Sequence, residues 1–197
     1  MQHPVVLQKP DTALTDDNAS ARIFAHALSE EELFHESQRR YVPMFPYPPD
    51  RPVVFVKYGG PEKQAEGDMQ RLAFDWLNTE RCNTRCNVYV PEVYKIFSRR
   101  GLTFIIMQFV EARSIQDLAK QAGSQEWEDF KTPYCDLIVE GIELFRRMPL
   151  PGDPIPGPRT SSRRIIKHML FKDQEAPVQY DTIEELQDHL DRVYMRW

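Results

Sequence analysis

The sequence lacks the features that define several common classes of protein. Its 197 residues carry a net charge of −5, whereas nucleic-acid-binding proteins usually show a basic face. No apolar run approaches the roughly 18 residues that a membrane helix needs, and the N-terminal residues lack the basic and long apolar parts of a secretory signal. We therefore expect a cytoplasmic protein that binds neither nucleic acid nor membrane.

Cysteine is also scarce. The three cysteines are an odd number and do not form a disulfide framework, which favours a reducing compartment. Cys82 and Cys86 are spaced like two ligands of a zinc site, but such a site needs four ligands and the sequence has no second pair with suitable spacing. We interpret them as free thiols in a loop and predict no metal site.

The remaining composition is that of an ordinary soluble domain. With 41% hydrophobic and 28% charged residues the chain can bury a core. Its length fits one domain, or a small lobe with part of a second. Glycine is unevenly distributed, because none of the 8 glycines precedes Gly59.

The most informative stretch runs from Val53 to Leu118. Val53–Val56 is a continuous apolar run, which is typical of a strand buried on both faces. An amphipathic helix follows over Asp68–Asn78, and two apolar segments, Glu92–Phe97 and Leu102–Val110, are predicted to be strands joined by a hairpin turn. The pattern predicts an α+β fold with a strand, a helix and two strands in that order, and Leu102–Val110 is expected to be the central strand.

Before this stretch, the pattern predicts two short helices and a proline-rich segment. Apolar spacing indicates one helix between Asn18 and Leu28, and Ser29 with Glu32 forms a capping-box signature for a second. Between Tyr41 and Pro52 lie five prolines, which cannot donate the hydrogen bonds of a strand ladder. This segment is therefore not expected to be a central strand.

After this stretch, three helices are predicted: Ile115–Gln121, Glu126–Met148, and a last helix capped by Asp181–Glu185. We interpret the apolar stripe of the long helix as core, and expect Pro133 to kink that helix or to mark its start. The stripe of the last helix needs a partner surface. The long helix has Trp127, Phe130, Tyr134, Leu137, Ile138, Leu144 and Phe145 at helical spacing, and the last helix has Ile183, Leu186, Leu190, Val193, Tyr194 and Trp197.

The ordered set of motifs from Val53 to about Pro158 resembles the small, nucleotide-holding lobe of the aminoglycoside phosphotransferase and choline kinase relatives of protein kinases. It is most similar to a fungal branch with the string VVKYG … EAENMRFV … VPKVY … YIVMEYIEG. The matching segments are Val56-Lys57-Tyr58-Gly59, Glu66 to Ala73, Val90-Pro91-Glu92-Val93-Tyr94, and Phe104-Ile105-Ile106-Met107-Gln108-Phe109-Val110-Glu111.

The resemblance implies a nucleotide site with ATP and magnesium as cofactors. Lys57 would hold the α- and β-phosphates, and Glu66 would pair with it and fix its ammonium. The Gln108 carbonyl and the Val110 amide would meet the adenine edge. Simpler interpretations remain open: Lys57 reaches to water, Glu66 is favoured by a nearby helix N-terminus, and Gln108 to Val110 is a plain strand end.

The sequence also departs from the family pattern. The glycine-rich loop that covers the phosphates has no counterpart before Gly59, and Ala112 stands where the family has glycine. No HGDLHPGN-like catalytic loop and no metal-binding aspartate after it occur, because none of the 5 histidines is followed by Gly-Asp. We therefore assign no catalytic residue and no metal ligand, and expect a chain that is truncated before its chemistry and inactive alone.

This interpretation divides the chain into three regions. Residues 1–40 are an N-terminal helical extension, 41–111 a kinase-like small lobe with an antiparallel sheet and a helix, and 112–197 the first helices of an incomplete larger lobe. The favoured function is an inactive, phosphotransferase-like (pseudokinase) protein related to enzymes acting on small-molecule hydroxyls. The alternative is a non-catalytic kinase-like module that binds a nucleotide or a protein partner. We also expect self-association through the apolar stripe of the last helix.

Overall fold

The computed structural model describes residues 14–79, 88–121, 124–149, 155–157, 166, 168, 171 and 174–194. Within these residues the chain is an α+β structure with one four-stranded antiparallel sheet. Its elements are α1 (Leu14–Ala27), α2 (Glu30–Arg40), β1 (Met44–Tyr47), β2 (Val54–Gly59), α3 (Glu62–Leu77), β3 (Val93–Arg99), β4 (Leu102–Gln108), α4 (Ile115–Gln121), α5 (Ser124–Arg146) and α6 (Ile183–Tyr194).

The strands are ordered β1-β2-β4-β3, so β2 and β4 are the inner strands. The prediction that Leu102–Val110 is central is confirmed for Leu102–Gln108. β1 carries Pro46 and lies at the edge, where a missing backbone donor costs least. The hairpin between β3 and β4 has Arg100 at φ 49° and Gly101 at φ 80°. Two consecutive positive φ values are those of a type I′ turn, which matches the twist of the strands.

The two faces of the sheet are covered by different helices. Val54 and Val56 of β2 point toward α1 and α2 and share a core with Leu33. Phe55 points to the other face, where it packs with Ile105 of β4 below α3. Because side chains alternate along a strand, Lys57 lies on the α3 face with Phe55. The N-terminal helices α1 and α2 cover the opposite face and share its core with β2.

The predicted cap of α2 is present in part. The Ser29 side chain accepts a hydrogen bond from the Glu32 backbone N–H at 3.4 Å. The Glu32 carboxylate, however, accepts from the Tyr47 hydroxyl of β1. Ser29 thus caps α2, while Glu32 links α2 to the edge strand.

Helix α3 begins at Glu62, six residues before the predicted start at Asp68. Its first two turns are polar, so apolar periodicity could not reveal them. Glu66 is consequently in the second turn and not at the helix start, which removes the dipole as the reason for its position, since that effect falls off within the first turn.

The side of α3 that faces the sheet also differs from its apolar stripe. Gly67 lies against Ile96 of β3, and Gln70 donates to the Pro91 carbonyl at 2.7 Å. With 3.6 residues per turn, Met69, Leu72 and Trp76 lie on the side opposite Gly67. These three residues of the apolar stripe are only half-buried. The stripe also includes Leu77, which is half-buried, and Ala73, which is buried.

The prediction that α5 carries a core stripe is wrong for the side chains that the structure describes. From 131 to 149 no side chain is buried: Leu137 and Leu144 are half-buried, and Ile138 is exposed. Pro133 lies inside the helix and does not mark its start. Periodicity shows that a helix has an apolar side, but it cannot show that another element covers that side.

Helix α6 has the predicted cap. The Glu185 backbone N–H donates to Thr182 Oγ1 at 3.1 Å, and the Glu185 carboxylate accepts from the Asp181 N–H at 2.8 Å. We had expected the apolar stripe of α6 to be exposed. Its central residues Leu186 and Leu190 instead pack against a small cluster of Phe171, Ala176 and Tyr180.

The pair Cys82 and Cys86, which we interpret from the sequence as free thiols in a loop, lies outside the described residues. In the ranges that are described, no helix has the length and hydropathy needed to cross a membrane.

The shared core makes α2 a determinant of stability. Leu33 is fully buried, whereas Ile23 of α1 is 72% exposed. We expect Leu33→Ala to lower the free energy of unfolding by about 2–5 kcal/mol, because it leaves a cavity between helix and sheet. Ile23→Ala should change it by less than ~0.5 kcal/mol. Urea unfolding followed by circular dichroism measures both, and equal losses would contradict the packing described.

Candidate functional site

The candidate site is built around Lys57 at the end of β2. Its side chain reaches across the sheet face to α3, where Lys57 Nζ lies 3.2 Å from Glu66 Oε1. The two residues come from separate elements, so the pair forms only when α3 is docked on the sheet. The predicted contact between Lys57 and Glu66 is present.

A second lysine completes the cluster. Lys63, one turn before Glu66, donates to Glu66 Oε2, so the two carboxylate oxygens receive one ammonium each. The stem of Lys63 crosses Gly59 at the end of β2: a Cβ at Gly59 would lie 3.1 Å from both Cγ and Cε of Lys63. A glycine at this position therefore leaves room for Lys63 to turn back over the strand end.

The electrostatics of this cluster favour an anion. All three side chains are partly buried. Burial raises the pKa of Glu66, but the hydrogen bonds and charges of Lys63 and Lys57 outweigh it and hold that pKa below its ordinary value of 4.5. Glu66 is therefore ionised at neutral pH, and two cations around one anion leave one surplus positive charge. The Glu62 carboxylate lies beside Gly60 and forms no ion pair with either lysine.

The position of Glu66 depends on how α3 meets the sheet. A Cβ at Gly67 would lie 2.5 Å from Ile96 Cδ1 and 3.4 Å from Ile105 Cδ1. The absence of a side chain at Gly67 thus allows the helix to approach both strands closely. Gln70 fixes the next turn through the Pro91 carbonyl and, at 3.4 Å, Met107 Sδ.

The other two predicted site residues lie at the end of β4. Gln108 pairs with Val54, and Ile105 pairs with Lys57, so Gln108 is three residues, or roughly 10 Å, along the sheet from the lysine. The Gln108 N–H donates to the Glu92 carbonyl at 2.8 Å, and its side chain points to the face opposite Lys57. Val110 follows the strand and is exposed. The structure thus brings Lys57 and Glu66 together and leaves Gln108 and Val110 apart from them.

Sequence reasoning missed two features. Lys63 was not assigned, although a lysine three residues before a glutamate on one helix is a recognisable pairing signal. The second is a polar network in which Glu92 accepts from Asn18 at 3.0 Å and from Arg22 at 2.8 Å. It joins residues 70 and 74 positions apart, and no local pattern could reveal it.

Among the described residues, no three histidine, cysteine, aspartate or glutamate side chains are grouped so as to hold a metal ion. No family model, curated protein or solved structure matches this chain. The geometry around Lys57 is therefore the main indication of function.

The pKa of Glu66 gives a prediction about stability. Because its folded value lies below the ordinary 4.5, the ionised carboxylate stabilises the fold above that pH, and the contribution is lost as pH falls through the folded value. We expect Glu66→Gln to be less stable than the parent at pH 7, and the difference to shrink as the pH is lowered below 4.5.

Urea unfolding across this pH range measures the effect. Glu62→Gln is the matched control, since Glu62 is in the same helix and forms no ion pair among the described side chains. A Glu66→Gln difference that stayed constant down to pH 3 would show that packing, and not the charge on Glu66, accounts for it.

Proposed function

We propose that this chain is a kinase-like protein of the aminoglycoside phosphotransferase type that binds the phosphates of a nucleotide at Lys57 without transferring them. The observation that carries the proposal is the 3.2 Å pair between Lys57 and Glu66 across β2 and α3. Kinases use such a strand lysine, fixed by a helix glutamate, to hold the phosphates of ATP. The resemblance of the motifs around both residues supports the same role here.

An ion pair between strand and helix is not by itself a phosphate site. On the opposite face, Lys95 Nζ of β3 lies at the same distance, 3.2 Å, from Glu30 Oε1 of α2. What distinguishes Lys57 is that its glutamate is shared with Lys63. The surplus positive charge at this end of β2 favours an anion, whereas the Lys95 pair is balanced.

The adenine end of the proposed site lies at the end of β4. Gln108 is the last residue of the strand, and Val110 is exposed just beyond it. Because β4 ends at Gln108, Val110 lies beyond the strand, and its amide would recognise the base together with the Gln108 carbonyl. Their distance of roughly 10 Å along the sheet from Lys57 leaves room for the sugar between base and phosphates.

The residues fit nucleotide phosphates better than they fit a catalytic magnesium ion. Phosphoryl transfer needs metal ligands and a carboxylate that orients the attacking hydroxyl. The described part of the chain holds no group of three suitable metal ligands, and none of the 5 histidines in the sequence precedes Gly-Asp. We therefore derive no chemical step and propose binding alone for these 197 residues.

A second candidate is a kinase-like module that binds a protein partner. The observation that favours it is the exposed apolar surface of α5, formed by Ile138, Val139 and Ile142. Adjacent exposed apolar residues on one helix are typical of an interaction surface. The two candidates are compatible, since α5 lies outside the Lys57 cluster.

Nucleotide binding is tested by thermal unfolding. We expect ATP at about ten times its Kd to raise the Tm of the parent protein by roughly 3–6 °C, and adenosine, which has no phosphates, to raise it less. Lys57→Ala should abolish the response to ATP because it removes the phosphate-binding ammonium.

Lys95→Ala is the matched control. It breaks a strand-to-helix ion pair of equal length on the other face of the sheet, so it should lower the Tm without nucleotide but leave the ATP-induced rise intact. Equal ATP responses in Lys57→Ala and the parent would rule out Lys57 as the phosphate ligand.

The absence of chemistry is tested separately. We expect no ATP consumption above background by the purified 197-residue polypeptide with a panel of aminoglycosides and aminoalcohols, with magnesium present. Loss of one charge-stabilising group typically costs about 10²–10³ in rate, and here several are lacking together. Turnover that Lys57→Ala removes would contradict the proposal of binding alone.

A further inference from the structure

A cavity of about 330 Å³ lies at the end of β3 and β4, away from the Lys57 cluster. Its walls come from α1, from the C-terminal end of α3, and from the segment before β3. Asn18, Ala19, Arg22, Phe74, Asn78, Tyr89 and Gln108 line it. Small-molecule sites begin at about this volume and combine apolar walls with a few fixed polar groups.

Gln108 supplies the fixed polar group. It is 8% exposed, and its Oε1 accepts from the Tyr89 hydroxyl and from the Glu92 N–H at 3.5 Å. Because both donors bond to Oε1, the Nε2 group is oriented away from them. No acceptor among the described residues takes an Nε2 hydrogen of Gln108. Gln108 lines the cavity, so its Nε2 group is the donor that this side chain offers to a ligand there.

The charges at the cavity are balanced. Arg22 Nε and Nη2 each lie 2.8 Å from one oxygen of Glu92, a two-point contact that fixes the guanidinium. Asn18 donates to the same carboxylate and accepts from the Tyr94 hydroxyl, so both the nitrogen and the oxygen of its amide are engaged. Since the arginine is neutralised, the cavity has no surplus charge for a charged ligand.

The apolar part of the wall is aromatic. Phe74 from α3 and Tyr89 from the segment before β3 both border the cavity. The hydroxyl of Tyr89 is held by Gln108, so this ring is fixed relative to the unused donor. Aromatic side chains favour other flat rings through stacked or edge-on contacts.

We propose that this cavity binds a small, uncharged, flat aromatic molecule that presents a carbonyl oxygen to the Nε2 group of Gln108. The ring of the ligand lies against Phe74 and Tyr89. The site is distinct from the proposed phosphate site, because the Gln108 side chain projects from the face of the sheet opposite Lys57. The proposed nucleotide site uses the backbone carbonyl of Gln108, whereas this cavity uses its side chain, so the two proposals depend on different groups of the residue.

Benzamide is a suitable probe, because it is uncharged and flat and carries one carbonyl. We expect it to bind with a Kd on the order of a millimolar and to shift the side-chain amide signal of Gln108 in ¹H–¹⁵N NMR spectra. Cyclohexanecarboxamide, which has the carbonyl but no flat ring, and benzoate, which is charged, should each bind at least about tenfold more weakly.

Two variants test the location. Gln108→Glu keeps an oxygen to accept from Tyr89 and Glu92 but replaces the donor with a second acceptor, so benzamide affinity should fall at least about tenfold. Ala19→Leu adds bulk at the wall and should also block binding. Ala27→Leu, an exposed position at the end of the same helix, is the control and should bind benzamide like the parent.

The result is decided by these comparisons. Loss of benzamide binding in Ala19→Leu and Gln108→Glu, with retention in Ala27→Leu, supports the site. No shift of the Gln108 amide up to about ten times the expected Kd, or unchanged binding in Ala19→Leu, overturns it. Ala19→Leu keeps the test valid if Gln108→Glu does not fold.

Discussion

The close approach of α3 to the sheet is the constraint on which the candidate site depends. Gly67 allows the helix to contact Ile96 and Ile105, and Gln70 fastens the next turn to the segment before β3. Glu66, one residue before Gly67, is thereby held over β2 within 3.2 Å of Lys57. A helix set farther from the strands would leave two lysines and a glutamate in water, where exposed pairs contribute little to stability.

Both faces of the sheet contribute to this arrangement. α1 and α2 bury Val54 and Val56 of β2 on one face, which fixes the strand that carries Lys57 on the other. The N-terminal helices are also tied to β3 and its hairpin by ion pairs, including Lys95 with Glu30 and Arg100 with Glu31. The region that was expected to be an extension is therefore a structural part of the unit built around the sheet. By contrast, the described side chains of α5 contribute nothing to a core.

The two proposed sites use different sides of one strand, β4. Ile105 lies opposite Lys57 on the α3 side, whereas the side chain of Gln108 points to the α1 side. Alternation along a strand thus lets one inner strand support a charged cluster on one face and a neutral cavity at its end. The charges follow the same division, because the Lys57 cluster has a surplus cation while Arg22 is neutralised by Glu92.

The sequence alone determined the order of the elements other than β1, the inner position of β4, and the caps at Ser29 and Thr182, because these depend on local periodicity or on capping chemistry. The contact between Lys57 and Glu66 was expected from the family resemblance, not from the local pattern. Only the tertiary structure decided the rest: the edge strand β1, the early start of α3, its sheet-facing side, the role of Lys63, the uncovered stripe of α5, and the cavity at Gln108. These depend on which surfaces meet. Residues such as Asn18 and Glu92 lie far apart in the chain, and an apolar or polar stripe does not specify its partner.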